Sequence, residues 1–149
     1  MELPRELTAF LQLVHGGGAG PGYGFIIGKD VTPLPRRARA FPFDSAVAQD
    51  LIRRRLAGGA DRWASALAPD EEEETDDYWP PGPGFVPVAH LGCGMFDVLV
   101  TVGEQRGFVW CIDTQKWCPH FDPSGEQVTF LDWYEHWLDW ALERSGRDR

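Results

Sequence analysis

Apolar residues open the chain with helical spacing. Leu3, Leu7, Phe10, Leu11 and Val14 share one side of a wheel turning about 100° per residue, and Gly16 to Gly18 end the run. Pro4 suits the first helical position, where its missing N–H costs nothing. An N-terminal helix is predicted. Gly20-Pro21-Gly22 continues the turn, and Tyr23 to Ile27 reads as a short buried strand. Residues 28–84 are the least regular, broken by Pro33, Pro35 and Pro42. Within them Ser45 is the expected cap of a helix reaching about Leu56 and closed by Gly58-Gly59. Pro80, Pro81, Gly82, Pro83 and Gly84 make a stiff connector.

Beyond Gly84 the period changes to that of strands. Phe85 to Ala89, Met95 to Val102 and Gly107 to Ile112 are predicted strands. The last two are joined by Gly103-Glu104-Gln105-Arg106, a hairpin-length connection that implies antiparallel pairing. A final helix follows, opened by Thr129 with Asp132 three residues on, a capping-box variant. Phe130, Tyr134, Trp137 and Ala141 share one face, flanked by Trp133 and Trp140 on one side and Leu131 and Leu138 on the other. Asp132, Glu135, His136, Asp139 and Glu143 lie opposite. The aromatic side is expected on the sheet and the acidic side in solvent. No internal repeat is visible.

Composition narrows the class. A chain of 149 residues fits one domain, since folding at this size removes about 68–70% of the unfolded surface from water. A hydrophobic fraction of 43% marks a globular protein, and several of its seven tryptophans must share a core. No stretch approaches the roughly 20 apolar residues of a membrane helix. Acids and a proline occupy the start, where a signal peptide would place basic and then apolar residues, so a cytoplasmic location is expected. Three cysteines without a CxxC pair argue against a disulfide framework.

Charge narrows it further. The net charge of −9 is uneven: residues 1–57 carry eight Lys and Arg against five acids, and residues 58–149 carry six against eighteen. Such a surface repels nucleic acid and anionic membranes and attracts basic partners.

Candidate chemistry adds little. His90, Cys93, Cys118 and His120 are metal-ligand types, but their spacing does not match the paired patterns of structural zinc, and no metal or cofactor is expected. Cys93, within Gly92-Cys93-Gly94, reads as a bend between strands. No GxSxG elbow is present, and Ser45, Ser65, Ser124 and Ser145 lie in loops or at helix ends. The glycines after His15 follow a helix instead of leading into one, so they do not form a phosphate cradle. The acids cluster on one loop and one helix face, with none paired in a cleft. An enzyme is not expected; a binding protein is.

Three stretches carry a family resemblance. They are the Leu3-Pro4 helix with Phe10-Leu11 and Gly16-Gly17; Val86-Pro87-Val88-Ala89-His90-Leu91-Gly92-Cys93-Gly94 with a strand ending in Val102-Gly103; and Arg106-Gly107-Phe108-Val109-Trp110 followed by Thr129-Phe130-Leu131-Asp132-Trp133-Tyr134. In order and spacing the chain resembles the SUKH superfamily, which includes yeast Smi/Knr-type cell-wall regulators and bacterial immunity proteins. His15 departs from the asparagine usual before the paired glycines, and residues 31–84 carry little of the likeness. The resemblance implies a single α+β domain over residues 1–149. Its curved, mostly antiparallel sheet would carry the N-terminal and C-terminal helices, with no active site. It also implies an immunity protein that blocks a cognate toxin, often a nuclease, by direct binding. The expected contacts are Asp70, Glu71, Glu72, Glu73, Glu74, Asp76 and Asp77 on the acidic loop, and Asp132, Glu135, Asp139 and Glu143 on the last helix. The alternative is a regulatory or scaffold domain that binds an endogenous cellular protein.

Overall fold

Alternation along Met95–Val100 sets the architecture. Phe96, Val98 and Val100 enter one hydrophobic cluster, whereas Leu99 enters another, so the strand feeds a core on each face of its sheet. The structure is a computed structural model in which residues 3–13, 19–24, 38–59, 64–69 and 82–147 are described. Among these, the helices are α1 (Arg5–Leu13), α2 (Ser45–Ala57) and α3 (Phe130–Arg147). The strands are β1 (Ala66–Leu67), β2 (Phe85–Gly92), β3 (Met95–Val100), β4 (Val109–Ile112) and β5 (Lys116–Pro119). The strands form one open sheet in the order β1-β5-β4-β3-β2, with every pair antiparallel. The fold is α+β, as expected.

One face carries α1 and α3. Leu7 and Phe10 of α1 and Phe130, Trp133 and Tyr134 of α3 are buried against Val86, Val88, Leu99 and Val109. Phe10 meets Phe130 and Tyr134 edge-on, with ring centroids 5.2 and 4.7 Å apart, the geometry aromatic quadrupoles favour. The opposite face carries the segment leading into α2. There Phe41, Phe43, Ala48 and Leu51 close over Phe85, Phe96, Val98, Trp110 and Trp117. Among the described residues, Trp133 and Trp137 belong to the first core and Trp110 and Trp117 to the second.

Local details differ from the sequence reading. The first helical bond of α1 runs from Thr8 N to the Pro4 carbonyl, so Pro4 precedes the helix by a residue; its missing N–H is harmless there too. The cap of α2 is Asp44, whose carboxylate accepts from Val47 N at 2.9 Å, and Ser45 is the first helical residue. A carboxylate at this end also complements the helix dipole. Tyr23 and Gly24 lie at a turn, with Tyr23 N donating to the His90 carbonyl; residues 25–27 of the expected strand lie outside the described residues. Strand β2 runs three residues past Ala89, and the β3–β4 connection spans residues 101–108, not four residues. Strands β1 and β5 were not anticipated. β5 is short and begins with a charge, and Pro119 within it argues against a strand by propensity. Yet Pro119 faces Trp110 between the ladder bonds Asp113 N→Lys116 O and His120 N→Val109 O, where no N–H is needed.

Candidate functional site

Helix α3 presents the predicted acidic face. Asp132, Glu135, Asp139 and Glu143 are all exposed. Asp132 also caps its helix: Thr129 Oγ1 donates to its carboxylate at 2.7 Å, and Asp132 N points back at Thr129 Oγ1. The expected aromatic flanks are only partly covered. Leu131, Leu138 and Leu142 are 40, 37 and 67% exposed, and Trp140 is 53% exposed, with the Arg144 guanidinium 4.9 Å from its ring centroid. Among the described residues, nine-residue α1 packs on Phe130 and Tyr134, in the first turns of eighteen-residue α3. At 3.6 residues per turn, the leucines form a row beside Glu135 and Asp139. The acidic loop Asp70, Glu71, Glu72, Glu73, Glu74, Asp76 and Asp77 lies outside the described residues.

A second constellation emerges from strand register. Asp97 on β3 pairs with Cys111 on β4, which pairs with Cys118 on β5, so the three form a row across the sheet. His120 lies two residues beyond Cys118 and points to the same side. Its Nε2 is 2.7 Å from Asp97 Oδ1, while the other oxygen of Asp97 accepts the Trp133 Nε1–H at 2.9 Å. Asp97 is thus 3% exposed with both oxygens engaged, as a buried carboxylate requires. Arg55 of α2 donates to Cys118 Sγ at 3.5 Å and lies over the Phe121 ring. Arg55, Cys111, Cys118 and His120 line an open cleft of about 450 Å3 together with Met95, Asp113 and Lys116, with Asp97 buried behind them.

Electrostatics polarise this row. The Cys111 S–H donates to Cys118, which pushes the Cys118 thiol down to about 7 against the opposing effect of burial; Arg55 and His120 add to the lowering. Cys111 is pushed up by holding that proton, by burial and by the nearby Asp97 charge. Burial disfavours charge on His120, but the hydrogen bond and negative charge of Asp97 outweigh it and raise its pKa. The result is a thiolate-prone sulfur, a proton-holding sulfur and an imidazole lining one cleft, backed by a buried carboxylate.

Of the four metal-ligand types considered from sequence, the structure joins Cys118 and His120 and separates the others. His90 packs its ring on Tyr23 and Phe96, and Cys93 is exposed in the β2–β3 turn at φ 52°. Sequence reasoning missed Asp97 and Arg55, and left open whether Cys111 joins the other cysteines and the histidines at a metal. The available signal was Asp97 itself, a carboxylate inside the apolar strand Phe96-Asp97-Val98-Leu99-Val100. No protein-family model, curated protein or solved structure matches the chain.

Proposed function

We propose that the chain is a cytoplasmic, SUKH-type immunity protein that binds a basic toxin domain, a nuclease being the favoured class, through the outer face of α3. One observation carries the reading: an exposed row of Leu131, Leu138 and Leu142 runs beside exposed Glu135 and Asp139 on the same helix. Apolar residues left in water next to charge are what a protein interface needs, since the apolar row supplies burial and the acids supply steering and register. The net charge of −9 fits a partner that is basic where it meets its substrate. Nothing in the reading requires catalysis. The sequence resemblance supplies the class of partner, and Glu71 to Glu74 supply a second acidic contact.

The test is co-expression with the product of the neighbouring gene as candidate toxin, followed by binding kinetics. Rescue of the cells is expected, with an association rate that falls at least tenfold between low and 0.5 M salt, roughly as screening of exposed charge dictates. Reversing Glu135 and Asp139 to lysine should weaken binding by at least tenfold, and Leu138→Ala by about tenfold. An affinity indifferent to salt, to these substitutions and to charge reversal of Glu71 to Glu74 removes the acidic-face mechanism. Absence of both rescue and binding removes the immunity reading itself.

A further inference from the structure

The row of donors across β3, β4 and β5 lies apart from the exposed face of α3, and docking on α3 leaves it unused. We propose that Asp97, Cys111, Cys118 and His120 form a binding site for one Zn2+ ion. The donor set of two sulfurs, one imidazole nitrogen and one carboxylate oxygen is a tetrahedral zinc set. Sequence spacing concealed it, because the ligands come from three strands and only register makes them neighbours.

Geometry supports the assignment in several ways. Ligand atoms of Asp97, Cys111 and His120 all lie within 4.8 Å of one another. Tetrahedral zinc, with bonds of about 2.0–2.3 Å, holds its ligands about 3.3–3.8 Å apart, so these three close on an ion by side-chain adjustment, and Cys118, hydrogen-bonded to Cys111, turns in as the fourth ligand. The donors currently face each other in pairs, Asp97 with His120 and Cys111 with Cys118, each pair sharing a proton. Exchange of those protons for a cation is how such sites load. The outer partners are in place as well: Trp133 Nε1 anchors the second oxygen of Asp97, and Arg55 donates to Cys118 Sγ. Charge also balances. Two thiolates and a carboxylate would be offset by Zn2+ and the Arg55 guanidinium. The cleft gives the ion a way in.

A disulfide fits less well. Ladder bonds from Asp113 N to Lys116 O and from His120 N to Val109 O place Cys111 and Cys118 at a hydrogen-bonded pair. There the Cβ atoms stand about 5.5 Å apart. An unstrained disulfide needs about 3.5–4.5 Å. A metal ion spans the wider gap without strain.

The experiment uses the full chain, stripped with chelator under reducing conditions and titrated with Zn2+ and Co2+. One equivalent of Zn2+ should bind, and Co2+ should develop the visible bands of tetrahedral coordination together with thiolate charge transfer. Cys111→Ser and Cys118→Ser should each lower affinity by at least a hundredfold, and Cys93→Ser should leave it unchanged. A second readout needs no substitution: three thiols should react with a maleimide in the stripped chain and one, Cys93, in the zinc-loaded chain. Three reactive thiols in both states overturn the proposal. So does zinc binding that survives the Cys111→Ser/Cys118→Ser double variant, or a Cys111–Cys118 disulfide that forms in the presence of saturating zinc. Failure here leaves toxin binding by α3 untouched, because the two are read by different variants.

Discussion

Gln105 carries more of this fold than its place in a turn suggests. Its side chain is fully buried, and Oε1 accepts from Trp110 Nε1 at 3.2 Å and from Gln127 Nε2 at 2.6 Å, while Nε2 donates to Ser45 Oγ at 3.2 Å. One amide thereby ties the β3–β4 connection to β4, to the strand-like segment before α3, and to the start of α2. Gln105→Ala would leave the indole N–H buried without an acceptor, and a stability loss of about 2–3 kcal/mol is expected in urea denaturation. Ser45→Ala removes a single partner near the surface and should cost about 1 kcal/mol or less. Two glycines separate backbone from packing effects in the same way. Gly84 (φ +74°) and Gly58 (φ +75°) both have positive φ, but a Cβ at Gly84 would lie 2.4 Å from Phe41 N, whereas one at Gly58 meets nothing within 4 Å. Gly58→Ala should therefore cost about 1–3 kcal/mol, the backbone penalty alone, and Gly84→Ala clearly more. Equal losses in thermal melts would show that the close approach of residues 39–41 to Gly84 does not matter.

At the scale of elements, α3 is the helix whose ends and faces can be read separately. Its capping box joins Thr129 and Asp132, and Thr129→Ala should destabilise the protein by about 1 kcal/mol. In its first two turns Phe130, Trp133 and Tyr134 are buried, whereas Leu131, Leu138 and Leu142 are exposed. Phe130→Ala should therefore cost about 3–5 kcal/mol, while Leu142→Ala should change stability by no more than about 0.5 kcal/mol. Denaturation of the two variants checks the contrast. A large loss at Leu142 would mean that this row is structural, removing the argument that it is held in reserve for a partner. Strand β5 teaches a different lesson about elements. Its Pro119 and leading Lys116 defeat propensity, and it exists because β4 presents an edge and Pro119 falls where the ladder asks for no donor.

For the whole molecule, the decisive feature is one sheet with a core on each side. Val109 belongs to the cluster under α1 and α3, and the adjacent Trp110 to the cluster under Phe41 and α2. Neither core can melt without exposing the strand that lines the other. Unfolding is expected to be a single transition, with tryptophan fluorescence and far-ultraviolet circular dichroism giving the same midpoint. Separate midpoints would mean that the two faces hold independently. Trp133 links the cores' fate to the donor row, because its indole anchors Asp97 from α3.

Much of the architecture was legible in the sequence because it depends on local periodicity. The spacing of Leu7 and Phe10, the alternation from Phe96 to Val100, and the Thr129–Asp132 box each act within a few residues. They establish α1, β3, β4, their antiparallel pairing, and the acidic face of α3. Tertiary structure alone decided the rest, because it depends on residues brought together from afar. Register set Asp97, Cys111 and Cys118 side by side although 14 and 7 positions separate them in the chain. Packing left Leu138 and Leu142 exposed, and folding enclosed Gln105 within a connection that reads as a polar turn. Periodicity states which side of an element is apolar, and packing alone determines how much of that side finds cover.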